Sequence, residues 1–285
     1  MVPTKERNQS SIYVSHDGKG ILIDCGEGTQ RQFRKVGINP CKLTKILITH
    51  WHGDHVLGLP GLFQTLVLNG YKKTLHIYGP KGTKKYVKEF SNFFPIKRLK
   101  VKIHEVQGKF IDTPDFEIST LPLQHGCPCN GYVFKEKQKT RIDKIKLKKL
   151  KLKDRTKIAQ LAKGKSIKIN GKTIKPSQLT YKQPSRKITF ILDTKPCPNI
   201  NKLAKDSELL ILEATYSKKE SALAKKYGHL TTEMAAKIAK KANAKKLILT
   251  HISQRYEFKE KMLLKEAKKI FPNTTIAKDL MKTLI

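Results

Sequence analysis

The six residues His50-Trp51-His52-Gly53-Asp54-His55 constrain this chain more than any other stretch. They follow the apolar run Lys45-Ile46-Leu47-Ile48-Thr49, which reads as a buried strand. Three imidazoles and a carboxylate behind a strand end make a poor core, because a buried polar group without a partner is costly. They make a good cation site. In an extended segment His50 and His52 point the same way, while Asp54 and His55 fall where the chain turns into a helix. One ion takes about four nitrogen and oxygen ligands, so a cluster this dense predicts two ions about 3.5–4 Å apart. Further ligands must then arrive from elsewhere in the fold.

Other strand ends supply them. His125 follows a predicted strand at 116–123, Asp193 ends one at 187–193, and His251 follows Leu247-Ile248-Leu249-Thr250. Polar residues at strand ends are how α/β folds build sites along one edge of a sheet. Together they complete a binuclear set, with His50, His52 and His125 on one ion, Asp54, His55 and His251 on the other, and Asp193 between them. The remaining pattern supports an α/β fold. Strands are predicted at 11–14, 21–25, 45–49, 74–78, 100–105, 131–134, 209–214 and 246–250. Helices are predicted at 28–36, 58–69, 82–94, 218–225, 231–242 and 259–270, without a fixed-period repeat.

Composition limits what such a site can serve. The 285 residues hold 59 Lys and Arg against 23 Asp and Glu, a net charge of +36. That excess favours a polyanionic partner through counterion release, although Lys outnumbers Arg and a general lysine habit accounts for part of it. The charge is also local, since residues 135–175 carry 17 of the 59 basic residues and only Glu136, Asp143 and Asp154 as acids. The run Lys144–Lys153 alternates lysine with Ile and Leu, which predicts a basic strand or short helix with little core of its own, in an arm projecting from the body. No segment reaches the roughly 18 apolar residues of a membrane helix, and the first residues do not resemble a signal peptide. Five cysteines (Cys25, Cys41, Cys127, Cys129, Cys197) are too few and too scattered for a disulfide framework, so a reducing, cytoplasmic setting is expected.

The pattern His-x-His-x-Asp-His resembles the metallo-β-lactamase fold, a four-layer αββα sandwich. The following Val56-Leu57-Gly58-Leu59-Pro60-Gly61-Leu62 narrows the resemblance to the ribonuclease Z family of tRNA 3′-processing endonucleases. Supporting blocks are Ile23–Gln32, Ile77–Gly82, Glu213-Ala214-Thr215-Tyr216, Gly228-His229-Leu230-Thr231 and Thr250–Tyr256, which follow the family order over nearly the whole chain. The resemblance implies one domain over residues 1–285 with a basic arm at 135–185 that grips the tRNA, two zinc ions on the ligands above, and a homodimer. It implies that Asp54 also orients or deprotonates the attacking water. His229 would donate a proton to the leaving 3′ oxygen, Glu213 would orient His229, and Asp24 would steady the ligand loop. In the arm it implies RNA contacts from Lys146, Lys148, Lys149, Lys151, Lys153 and Arg155. The family normally has a strand before the Val-Pro-Thr equivalent, whereas this sequence starts at Val2-Pro3-Thr4, so either the true start lies upstream or the first strand is absent; it also reads Leu192-Asp193-Thr194-Lys195 where Gly-Asp-Thr-Arg is usual. The usual Gly-Pro element of the arm is also missing.

Several conspicuous residues have plainer readings. Cys127 and Cys129 are too closely spaced for a usual zinc pair, Trp51 reads as packing beside the metal loop, and His76 and His104 as ordinary strand residues. Arg255 reads equally as a phosphate contact or a structural pair. Two competing functions remain at this level: an RNA-binding protein that has lost turnover, and a hydrolase of small esters or lactams. The full ligand set argues against the first, and the tRNA-type blocks and basic arm against the second.

Overall fold

The computed structural model describes residues 1–94, 98–150, 152, 154–169 and 171–285. The chain divides into two compact units. One comprises Met1–Ile111, Ile118–Phe134 and Lys187–Ile285, the other Asp112–Glu117 and Lys135–Arg186.

The larger unit is built on two sheets. Strands β1 (Ile12–His16), β2 (Lys19–Ile23), β3 (Leu43–Leu47), β4 (Leu75–Gly79) and β5 (Val101–Glu105) form the first, in that order, with β2 to β5 mutually parallel. The second sheet starts with β6 (Gly108–Asp112), β7 (Phe116–Gln124) and β8 (Pro128–Glu136). After the insert, which holds β9 (Lys139–Ile142), β10 (Ile167–Ile169), β11 (Lys172–Ile174) and β12 (Thr180–Gln183), come β13 (Arg186–Ile191), β14 (Leu209–Glu213), β15 (Lys246–Thr250) and β16 (Thr274–Ile276). Their order across the sheet is β16-β15-β14-β13-β8-β7-β6.

Each sheet carries helices on its outer face. Leu59, Leu62, Phe63 and Leu66 of the helix Leu59–Leu68 pack on Leu22, Ile46, Ile48 and Ile77. Alanines 235, 236 and 239 of the helix Thr232–Lys241 pack with Leu203 and Leu263 of two further helices on Leu210, Leu212, Leu247 and Leu249. The inner faces meet through contacts such as the Tyr132 hydroxyl, which donates to the Ile48 carbonyl at 2.7 Å, and the ring of Phe110 against Tyr78. This is the expected αββα sandwich. Strand β14 is buried along its whole length, as a central parallel strand covered on both faces must be, and its continuous apolar run made it legible.

The smaller unit has two antiparallel pairs, β10 with β11 and β12 with β9. Leu161, Ile167 and Leu179 are buried in it, with Ile142, Leu152, Ile169 and Ile174 packed around them. The lysine-rich run itself adds little to this core: Ile145 and Leu150 are exposed, Leu152 packs at its edge, and the buried residues lie beyond the run. The lysine-rich run resolves as a helix, Lys144–Lys149, rather than a strand, because Asp143 caps it by accepting from the backbone of Ile145 and Lys146. Asp154 does the same for the helix Arg155–Ala162 through Thr156 and Lys157. All three acids in this basic stretch therefore have structural work, since Glu136 accepts from Arg186 at 2.6 Å.

Candidate metal centre

The polar residues of the larger unit gather where its strands end. Asp24 follows β2, and His50, His52, Asp54 and His55 follow β3. His125 follows β7, Asp193 follows β13, and His251 follows β15. Asp24, Asp193 and His251 have φ of 56°, 36° and 55°, in the left-handed region that costs most side chains about 1–3 kcal/mol. Asp and His tolerate it better than most residues, and the turn aims each side chain back across the strand ends.

Two clusters result. In the first, Nε2 of His50 lies 3.1 Å from Nδ1 of His52, which is 3.2 Å from Nε2 of His125. Asp193 Oδ2 stands 3.6 Å from His50 Nε2 and 3.8 Å from His125 Nε2. In the second, His251 Nε2 is 3.2 Å from Asp54 Oδ2 and 3.3 Å from Asp193 Oδ1, while His55 Nε2 is 3.4 Å from Asp54 and 3.5 Å from Asp193. The donors in each cluster lie close enough to share one ion, and Asp193 belongs to both. The structure thus gathers all seven residues that sequence reading named as ligands, in the same two groups.

These residues fit a metal on their own chemistry. Nε2 of His55 and Oδ1 of Asp193 are buried and make no hydrogen bond, an expensive state for atoms that face other donors. Asp24, Asp193 and His55 are at most 2% exposed, so the carboxylates need a cation. Burial opposes charge on His55, yet Asp193 and Asp24 overcome it and hold the imidazole well above its usual pKa. Burial with neighbouring imidazoles pushes His50 down to about 2, leaving a neutral ring with a lone pair to offer. Burial alone would raise Asp54, but the His251 and His55 imidazoles beside it outweigh that and hold its carboxyl well below the usual carboxylate range.

A third group, Glu213, His229 and His251, also lies within the reach of one ion. Glu213 is already committed there. Its Oε1 accepts from the Thr194 backbone at 2.8 Å and from His229 Nδ1 at 3.0 Å, and its Oε2 accepts from Thr215. The His229 ring is stacked on His251 at 5.2 Å. Burial would lower its pKa, but the Glu213 hydrogen bond and charge prevail and raise it. Beside it opens a cavity of about 280 Å³ lined in part by Thr215, Tyr216, Tyr227 and Arg255.

The remaining candidates sort as follows. Asp24 takes His55 Nδ1 at 2.6 Å. In the smaller unit Lys146, Lys148, Lys149 and Arg155 are exposed, and Lys151 and Lys153 lie outside the described residues. Trp51 stacks on Tyr86 and donates to Thr83, which fits packing. His76 and His104 are hydrogen-bonded to each other. Arg255 is paired with Glu220 at 2.6 Å and lies over the Tyr216 ring. Cys127 Sγ is 3.8 Å from His52 Nε2, on the side of that ring away from the first cluster. Sequence reading missed Thr49 and Thr215, whose hydroxyls touch His50 and His251.

A family model described as the metallo-beta-lactamase superfamily matches residues 4–137, and one described as the beta-lactamase superfamily domain matches residues 130–252. The chain is 40% identical over 290 residues to Ribonuclease Z of Pyrococcus abyssi, covering 99% of this chain and 92% of that one. It is 37% identical over 284 residues to Ribonuclease Z of Methanothermobacter thermautotrophicus, covering 98% and 92%. Among solved structures, the short form of human tRNase Z superposes with a TM-score of 0.69 at 26% identity, covering 99% of this chain and 94% of that one.

Proposed function

Because this chain belongs to the ribonuclease Z family of the metallo-β-lactamase superfamily, we propose that it is a zinc-dependent endoribonuclease that removes the 3′ trailer from precursor tRNA after the discriminator base. The cut leaves a 3′-hydroxyl on the tRNA and a 5′-phosphate on the trailer. The observation that carries this reading is the convergence of seven donors into two clusters, with the Glu213–His229 pair beside them.

In this reading His50, His52 and His125 would hold one zinc ion of each subunit and Asp54, His55 and His251 a second, with Asp193 within reach of both groups. When bound, the ions supply Lewis-acid charge that polarises the scissile phosphate and offsets the charge that develops on it. Asp54 is ionised near neutrality and orients the attacking water, accepting its proton. His229, whose protonated form its contact with Glu213 favours, donates from Nε2 to the departing 3′ oxygen. As the water oxygen bonds to phosphorus the bond from phosphorus to the 3′ oxygen breaks, so the phosphate stays with the trailer. Lys146, Lys148, Lys149 and Arg155, with Lys151 and Lys153, contact tRNA phosphates, which selects by shape rather than by base edges. The proposal includes a homodimer in the cytoplasm. Five unpaired cysteines and the absence of any membrane-length apolar helix among the described residues agree with that setting.

The test is cleavage of an end-labelled, 3′-extended precursor tRNA, with and without chelator, with both product ends mapped. A chelator-sensitive cut after the discriminator base that leaves a 3′-hydroxyl supports the proposal. Salt-sensitive binding without a cut, after zinc is restored, refutes it in favour of an RNA-binding protein without turnover.

A further inference from the structure

Two threonine hydroxyls sit behind the ligand histidines. Thr49 Oγ1 donates to Asp24 Oδ2 at 2.7 Å and lies 3.1 Å from His50 Nδ1. Thr215 Oγ1 donates to Glu213 Oε2 at 2.8 Å and lies 3.0 Å from His251 Nδ1. A hydroxyl has one hydrogen. An ionised carboxylate can only accept, so that hydrogen is committed to Asp24 or Glu213. The hydroxyl oxygen can then only accept from the imidazole, which places a proton on Nδ1 and makes Nε2 the ring atom that faces the cluster. Both hydroxyls belong to buried residues, Thr49 at 0% and Thr215 at 6% exposure, which limits replacement by water.

We propose that Thr49 and Thr215 are positioning residues that fix the metal-facing tautomers of His50 and His251, each relaying a carboxylate to one ligand. The two relays are wired differently. Thr49 is the chain neighbour of its histidine, whereas Thr215 is two residues from its carboxylate and reaches a histidine from another strand end. Each carboxylate also holds a second imidazole directly: Asp24 takes His55 Nδ1 at 2.6 Å, and Glu213 takes His229 Nδ1 at 3.0 Å. Asp24 thereby serves one ligand in each cluster, while Glu213 ties a ligand of the second cluster to the proposed proton donor. Losing Thr49 should therefore disturb the first cluster alone, and losing Thr215 the second alone.

The consequence for metal rests on the reading above, whereas the tautomers do not, so the experiment reads both. In the full chain labelled with nitrogen-15 histidine and stripped of metal, long-range proton–nitrogen spectra should report His50 and His251 protonated at Nδ1. Thr49→Val should release His50 alone and Thr215→Val His251 alone, and the serine variants should restore the parental pattern. Zinc titration against a chromophoric chelator should show one of two sites weakened about 10- to 100-fold in each valine variant, a different site in each, with serine within a few-fold of the parent. Parental tautomers protonated at Nε2, or valine variants with parental spectra, overturn the inference. So does equal weakening of both sites by either valine variant. A parent with the expected tautomers that takes up no zinc overturns the metal reading and leaves the relay standing on the spectra. Thermal melts identify a valine variant that fails to fold. In that case a serine variant with parental spectra supports the relay, and one with released histidines overturns it.

Discussion

His229→Ala separates proton donation from everything else the site does. The imidazole belongs to neither of the two main clusters, and its removal leaves all seven donors in place. General acid catalysis contributes roughly 10²–10⁴ in rate. The His229 side chain is 13% exposed, so a water can enter the gap and supply part of the proton transfer, which points to the lower half of that range. The expected loss is about 10²–10³ in the single-turnover cleavage rate of a 3′-extended precursor tRNA, or about 3–4 kcal/mol of transition-state stabilisation. Bound zinc, measured on the same protein, should be unchanged. The decisive comparison uses a substrate in which sulfur replaces the leaving 3′ oxygen. A thiolate departs without a proton, so the variant should cleave this substrate within a few-fold of the parent. An equal loss on the sulfur and oxygen substrates, with zinc intact, would refute the assignment of His229 as proton donor.

Other outcomes follow from the same geometry. The parental rate should fall as pH rises through the pKa of His229, because the protonated form is the active one. Glu213→Gln removes the charge that raises that pKa, so the alkaline limb should move to lower pH. Asp193→Ala deletes the carboxylate common to both clusters, and dialysed protein should lose bound zinc and cleavage together while keeping its far-ultraviolet circular dichroism. Replacing Lys146, Lys148, Lys149 and Arg155 with alanine should flatten the salt dependence of tRNA binding by about 3 in log–log slope, leaving hydrolysis of a nitrophenyl phosphodiester unchanged. Tyr132→Phe removes a buried hydrogen bond and should cost about 1 kcal/mol, seen as a melting temperature lower by about 2 °C.

Residues that combine an apolar run with a polar terminus were legible in the sequence. β3 with His50 and β15 with His251 are examples, because burial of the strand and cost of the terminal group point the same way. β6 was not, because Gly-Lys-Phe-Ile-Asp is short and half-buried and shows neither clean alternation nor a continuous apolar run. The helix Pro198–Ala204 was missed because it directly follows the Asp193 loop and starts at a proline, which reads as loop punctuation. The lysine-rich run left strand and short helix open because its alternation has a strand's period, and the Asp143 cap decided for the helix. Thr49 and Thr215 gave no signal at all. In or beside a strand, threonine is the expected packing residue, and only the third dimension reveals what its hydroxyl touches.

The ion pair between Glu136 and Arg186 bears on how the chain closes its second sheet. These residues flank the long insert, and β8 and β13, to which they belong, are hydrogen-bonded neighbours. The polypeptide thus leaves and returns almost at one point. Loop-closure entropy grows only logarithmically, so spanning that point with some fifty residues instead of four costs about 2 kcal/mol. The buried Leu161, Ile167 and Leu179 give the detour a core with which to offset so small a penalty. The length and sequence of this excursion can therefore drift between relatives at little thermodynamic cost, while the strands on either side stay in register.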